Sequence, residues 1–182
     1  HTSLADVYLL NQSSSNANTL AASLLSVSKI PSPINTSYNS FGHSVAINSK
    51  YIVASANSYD RVYVYSYTTG SNSISIPGSP TTYIDAVTAG NSFGSLVKID
   101  KSGTNSILVS EDPTIQNPKV YLFESQSGGW SLTHTFYSIT GSQKVPFDDV
   151  NSYQYVKKPA DGFGTDMQIN GDTIVIGAPY DA

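Results

Sequence analysis

The feature that most constrains this chain is one local pattern that occurs three times. Phe41-Gly42-His43-Ser44-Val45-Ala46-Ile47 is followed by a polar break and then Tyr51-Ile52-Val53-Ala54-Ser55-Ala56. Phe93-Gly94-Ser95-Leu96-Val97-Lys98-Ile99 leads to Ile107-Leu108-Val109-Ser110. Phe163-Gly164-Thr165-Asp166-Met167-Gln168-Ile169 leads to Thr173-Ile174-Val175-Ile176-Gly177-Ala178-Pro179. Ser55 and Gly177 each lie 14 residues after their Phe; Ser110 lies 17 after, with the three extra residues around Ser102-Gly103-Thr104. An alternating run, a tight polar turn and a β-branched run together read as a hairpin. Asn170-Gly171 is expected to be the centre of a type I′ turn, with positive φ at both residues.

A second element recurs between these hairpins. Val7-Tyr8-Leu9-Leu10, Val62-Tyr63-Val64-Tyr65 and Val120-Tyr121-Leu122-Phe123 have the aliphatic and aromatic make-up of strands. Each precedes a Ser/Gly-rich turn and another apolar stretch: Leu20 to Leu25, Ile74-Ser75-Ile76, and Trp130 to Phe136. Asn16 to Ser26 would also suit a short amphipathic helix, but its place in the repeat makes it a strand. Four antiparallel strands recurring every 52 to 70 residues match the arithmetic of β-propeller blades.

The expected fold is therefore all-β, a β-propeller segment of four-stranded antiparallel blades spanning 1–182. Residues 1–30 supply strands three and four of one blade, 38–80 and 90–138 two whole blades, and 160–182 strands one and two of another. That amounts to three blade-equivalents, whereas a closed propeller takes roughly four to eight. Half-blades present unpaired strand edges, which invite pairing with another chain or with the remainder of a longer polypeptide.

These residues resemble the FG-GAP repeat, which builds the propeller heads of integrin α chains and related extracellular proteins. The last copy, Phe163-Gly164 followed by Gly177-Ala178-Pro179, is the closest match. Asp161 and Trp130 also sit where such repeats carry them. Ala54-Ser55-Ala56 replaces the Gly-Ala-Pro in the first copy, and Ser110-Glu111-Asp112-Pro113 replaces it in the second. The resemblance implies Phe41, Phe93 and Phe163 as blade-core residues and a non-enzymatic, extracellular, adhesive or structural scaffold. Many such repeats also hold calcium in the turn between their first two strands. Here Asp100, Ser102, Thr104 and Asn105 offer oxygen ligands at that place, with a single carboxylate among them. The other two turns are too short to wrap an ion. Two further readings stand beside the scaffold: a carbohydrate-directed enzyme or lectin on a propeller, and a calcium-dependent adhesion module.

Composition narrows the partners. Only 12% of residues are charged, about half the usual share, and Ser is the most abundant residue with 30 copies. A net charge of −4 provides no phosphate-neutralising surface, so nucleic acid is not an expected partner. No apolar run has the roughly 18–20 residues of a membrane span. Cysteine is absent, which removes disulfides, thiolate metal sites and cysteine nucleophiles. The Ser/Thr/Asn/Tyr surface and the sequons at Asn11 and Asn35 point to an extracellular or cell-surface setting with N-glycosylation. A chain that opens on His1, with Met167 as its one methionine, reads as a processed form or a piece of something longer.

Catalytic constellations are sparse. Gly90-Asn91-Ser92-Phe93-Gly94 spells the nucleophile-elbow motif, which requires a strand before the serine and a helix after it. Here the Phe-Gly belongs to the repeat, Ser95 to Ile99 alternates as a strand, and His1, His43 and His134 occur in no recognisable base context. Three scattered histidines cannot hold zinc. The densest acidic cluster, Asp148-Asp149 with Asp161 beyond it, falls in a long connection from Gly141 to Gly162. With Tyr153 and Tyr155 it is the expected binding loop, protein or glycan, because long loops and tyrosines carry recognition.

Overall fold

The computed structural model describes residues 4–11, 23–36, 39–70, 73–102, 105–127, 129–138, 143–146, 153–156 and 161–180. Among them the chain is all-β, with no α-helix and several antiparallel sheets. Among the described residues no helix is long and apolar enough to cross a membrane.

The first sheet pairs β1 (Leu4–Asn11) with β2 (Ser23–Pro31), so the strand expected over Leu20 to Leu25 continues to Pro31, residues 20–22 lying outside the described residues. The second holds β3 (Phe41–Ile47), β4 (Tyr51–Ala56), β5 (Arg61–Ser66) and, at its outer edge, β8 (Thr82–Asp85). Between β5 and β8 a small hairpin of β6 (Thr68–Thr69) and β7 (Ile74–Ser75) stands apart. The fourth strand is therefore Thr82–Asp85, not Ile74-Ser75-Ile76, and the unit runs past residue 80. The Thr81 hydroxyl fixes this edge by accepting from the Ser66 N–H at 2.8 Å. Arg61 pairs with Asp85 at 2.5 Å while lying over the Tyr83 ring. Ile84 is buried from that strand, whereas Ile74 and Ile76 only cover the end of a neighbouring cluster.

The third sheet has the four strands in the expected places: β9 (Leu96–Ile99), β10 (Ser106–Ser110), β11 (Lys119–Gln126) and β12 (Gly129–Tyr137). The long connection after it contains a further hairpin, β13 (Gln143–Pro146) with β14 (Tyr153–Val156), in place of the expected loop. The last sheet is β15 (Met167–Asn170) with β16 (Thr173–Ile176). Its turn has positive φ at Gly171 and not at Asn170. The central pair is thus Gly171-Asp172, and glycine takes the first position, as a type II′ turn requires, in place of the expected I′.

The sheets stack in chain order, and strand alternation divides their side chains between successive seams. Ile52, Ala54, Tyr63 and Tyr65 of the second sheet pack back onto Ala5 and Ile30 of the first. Val53, Val62 and Val64, on the opposite face, join Val97, Ile99, Ile107, Val109 and Tyr121 of the third. Leu108 and Val120 in turn meet Met167 and Ile169 of the last. Both faces of each central strand are buried, so β4 and β10 read as continuous apolar runs. Each fully buried Val, Leu or Ile among them contributes about 1.5–3 kcal/mol by leaving water.

Tyr65 is the exception in this packing: its hydroxyl is buried and has no hydrogen-bond partner among the described residues. Tyr65→Phe is accordingly expected to leave stability unchanged or raise it by about 1 kcal/mol, because it removes an unsatisfied polar atom. Burial also raises the Tyr65 and Tyr121 hydroxyls above the ordinary tyrosine range. A raised folded value favours the neutral form, so this stability is complete below pH of about 10 and is lost as pH climbs above it. Urea denaturation between neutral and strongly alkaline pH checks both points: Tyr65→Phe should flatten the alkaline fall.

Candidate functional site

The candidate site is built by the Phe-Gly loops, where three copies of one backbone shape meet the sheet that precedes each. The residue before each Phe and the glycine after it have positive φ: Ser40 and Gly42, Ser92 and Gly94, Gly162 and Gly164. Glycine is required after Phe for a second reason as well. A Cβ on Gly94 would lie 2.8 Å from Ser55 Cβ and 3.3 Å from Val62 Cγ2; one on Gly164 would lie 3.2 Å from Ser110 Cβ and 3.0 Å from Val120 Cγ2. Ser55 and Ser110, and Val62 and Val120, are equivalent positions in successive sheets. Each of these glycines is therefore seated on the same two side chains of its predecessor.

A side-chain oxygen holds the Phe N–H in every copy. Asn39 Oδ1 accepts from Phe41 at 3.0 Å and Asp161 Oδ1 from Phe163 at 2.9 Å, both two residues upstream. In the middle copy Asn91 occupies that place but donates to Glu111 Oε1 instead. Asp60, from the turn between β4 and β5, supplies the missing acceptor: its carboxylate takes the N–H groups of Phe93 at 2.8 Å and Gly90 at 2.6 Å. Ser55 and Ser110 stitch the bulge after each Phe, their hydroxyls accepting from the N–H of Ser44 and Leu96. In the last copy glycine stands there, and Gly177 bonds to the Asp166 carbonyl through its own N–H at 2.8 Å.

The turns between first and second strands form a second line of cross-links. Asn48 Nδ2 donates to the Asp100 carbonyl, and Gly171 N–H to Asp100 Oδ1, each at 3.0 Å. Beside this line, Val45, Ala46 and Ile47 of β3, Lys98 and Ile99 of β9, Lys101 and Gln168 border a groove of about 230 Å³. Lys98 reaches Asp166 at 3.6 Å, a partly exposed pair worth little to stability.

The residues singled out from sequence fare differently. Asp100 is fully buried, and its carboxylate accepts from Ser102 N–H, Ser102 Oγ and Gly171 N–H. Thr104 lies outside the described residues, as do Asp148 and Asp149. Tyr153 and Tyr155 lie on β14. Asn11 ends β1, and Asn35 is exposed after β2. Asp161 is buried, and its carboxylate accepts from Phe163 N–H and from Ser138 Oγ. Ser92 precedes a turn and β9 instead of a helix, so the nucleophile elbow is not formed. His43 and His134 are exposed. No group of three metal-ligating side chains occurs among the described residues.

Two buried or turn-bound carboxylates escape the sequence reading. Glu111, standing where the repeat has the alanine of Gly-Ala-Pro, accepts from the Tyr121 hydroxyl at 2.7 Å, Asn91 Nδ2 at 3.1 Å and Lys119 N–H at 3.0 Å. It ties the middle Phe-Gly loop to β11. Its only sequence signal is a carboxylate directly after an all-apolar run, where water is excluded. Asp60 gives none, because the groups it serves are thirty residues away. Asp60, Asp100, Glu111 and Asp161 all accept backbone N–H bonds, so they act here as fasteners of turns.

Neither a family model nor a curated protein sequence matches this chain.

Proposed function

We propose that this chain is a segment of an FG-GAP-like β-propeller that serves as a non-enzymatic extracellular scaffold, structural or adhesive, acting through protein–protein contacts. The observation that carries the reading is the threefold Phe-Gly loop: positive φ on either side of each Phe, and Gly94 and Gly164 each against the Ser–Val pair of the sheet before. A repeat whose successive copies rest on their predecessors in one way generates a regular stack. β3 contacts β9 and β9 contacts β15, first strand against first strand, which supports the reading of sheets fanned from one axis. The buried carboxylates are engaged by backbone N–H groups, which favours a scaffold over acid–base chemistry.

The test is the thermal midpoint and native mass of the purified chain, with calcium and with a chelator, alongside turnover of a panel of oligosaccharides. The scaffold reading expects both quantities unchanged by chelation and no turnover. A midpoint that collapses with chelator would replace it with a calcium-dependent module. Turnover abolished by Asp148→Asn would replace it with a carbohydrate-directed enzyme.

A further inference from the structure

The repeat sets its own standard for how a third strand reaches its fourth. In the third sheet residues 127–128 join β11 to β12, whereas in the second residues 67–81 separate β5 from β8 and fold into the β6–β7 hairpin. This insertion has a composition of its own: no Asp, Glu, Lys or Arg, seven Ser and Thr residues, and Pro77 and Pro80. Strand alternation sorts the side chains around β7. Ile74 and Ile76 are half-buried against the neighbouring cluster, while Ser73 and Ser75, alternating with them, are exposed. Thr68, Thr69 and Ser79 are exposed as well. Among the described residues these five hydroxyls make no hydrogen bond. The hydroxyls that the fold uses are fastened to main chain: Ser44, Ser55 and Thr81 accept from the N–H groups of Val97, Ser44 and Ser66.

We propose that the β6–β7 insertion is a site of O-linked glycosylation, with Thr68, Thr69, Ser73, Ser75 and Ser79 as acceptors. This rests on the extracellular setting of the scaffold reading above. In the step, the acceptor Oγ bonds to the anomeric carbon of a hexose or N-acetylhexosamine supplied as a phosphate-activated sugar. The bond from that carbon to the phosphate oxygen breaks with its electron pair, the hydroxyl proton is released, and nothing is oxidised or reduced. Exposed Ser and Thr with proline nearby form the composition of O-glycosylated segments. Pro77 and Pro80 disfavour helix at the residues before them, Ile76 and Ser79, which keeps the acceptor segment open. At the foot of the hairpin, Ser66, Tyr67, Thr68, Ser75 and Pro77 line a cleft of about 240 Å³. The first sugar on Thr68, or on its cross-strand neighbour Ser75, therefore has hydroxyls and a tyrosine ring beside it. Protein docking is the weaker use, because the exposed described residues of the insertion are Thr, Ser, Gly and Pro, whereas aromatic side chains mark the core of a protein interface. Hydrated sugars here also shield β8, the outer edge of the second sheet, from pairing with another chain.

Intact-mass spectrometry of the full chain secreted by a eukaryotic host, after enzymatic removal of N-linked sugars, tests this. The spectrum should show a ladder of sugar increments above 19.4 kDa, with fragment ions placing them between residues 68 and 79. Hexose and N-acetylhexosamine increments differ in mass and so identify the donor; either bears the proposal out. Thr68→Ala, Thr69→Ala, Ser73→Ala, Ser75→Ala and Ser79→Ala combined in one chain should abolish the ladder. The thermal midpoint of that variant should match the unsubstituted chain made without sugars, since the fold bonds none of the five hydroxyls. Ser49→Ala with Ser58→Ala should keep the ladder, because those serines are equally exposed but have Lys50 and Asp60 close by and no proline. A bare chain at 19.4 kDa, or a ladder that survives the fivefold substitution, overturns the proposal. The chelator and oligosaccharide measurements described above, made on the same samples, separate the two levels. A bare chain that passes them overturns the acceptor site alone, whereas chelator sensitivity or turnover in a chain carrying the ladder overturns the scaffold reading and leaves the acceptor site standing.

Discussion

Phe93→Ala is expected to be the most damaging single change in the molecule, lowering stability by about 4 kcal/mol. For a chain of this length that corresponds to a fall in the thermal midpoint of about 8–16 °C. Phe93 is wholly buried between the second and third sheets and meets Tyr121 and Phe123 edge-on, with ring centroids 5.6 and 6.0 Å away. Neither sheet can collapse into the vacated space, because β4, β5, β10 and β11 are fixed by hydrogen bonds on both sides. Phe163 offers the internal comparison. It occupies the same place in the last copy but is only half-buried, against a shorter sheet, so Phe163→Ala should cost clearly less. Chemical denaturation of the pair decides the matter: equal losses would mean that Phe is not the wedge between sheets.

Gly94→Ala should cost about 2–3 kcal/mol, from two sources that can be separated. The first is backbone strain, since Gly94 has φ +92° and a side chain there costs about 1–2 kcal/mol. The second is contact: the new methyl would sit 2.8 Å from Ser55 Cβ, an atom anchored to the buried strand β4 that cannot swing away. Gly90 has nearly the same φ, +89°, and a methyl group added there would meet nothing within 4 Å. Gly90→Ala therefore carries the strain alone and should cost about 1–2 kcal/mol. If the two variants melt together, the glycine after Phe serves only the turn and has no part in seating one sheet on the next.

How much of the fold is legible in the sequence depends on whether a feature is written locally. The three Phe-Gly hairpins, the Val-Tyr strands and the Trp130 strand are readable because alternation and glycine record the backbone directly. The fourth strand of the second sheet is not. Ile74-Ser75-Ile76 alternates as a strand no less than Thr82-Tyr83-Ile84-Asp85, yet the latter is chosen by tertiary partners: Thr81 on Ser66, Arg61 on Asp85, and Ile84 in the core. The last turn lies one residue beyond its expected place because Asn-Gly and Gly-Asp are both turn dipeptides, and only strand register separates them. Of the candidate site residues, Asp100 stands out for its oxygen, and what that oxygen does depends on Gly171, seventy-one residues later. Asp60 and Glu111 stay hidden for the same reason: a carboxylate that fastens a distant amide leaves no mark beside it.

Asp60 has a consequence beyond its two hydrogen bonds. It belongs to the second sheet, yet the amides it secures, Gly90 and Phe93, belong to the entry of the third. The boundary between structural units is therefore not a boundary between cooperative ones: when the hairpin that bears Asp60 frays, the next unit loses its starting point. Deuterium uptake at the Phe93 amide would consequently report the health of a neighbour rather than its own, and excising one unit cleanly would disable the one after it.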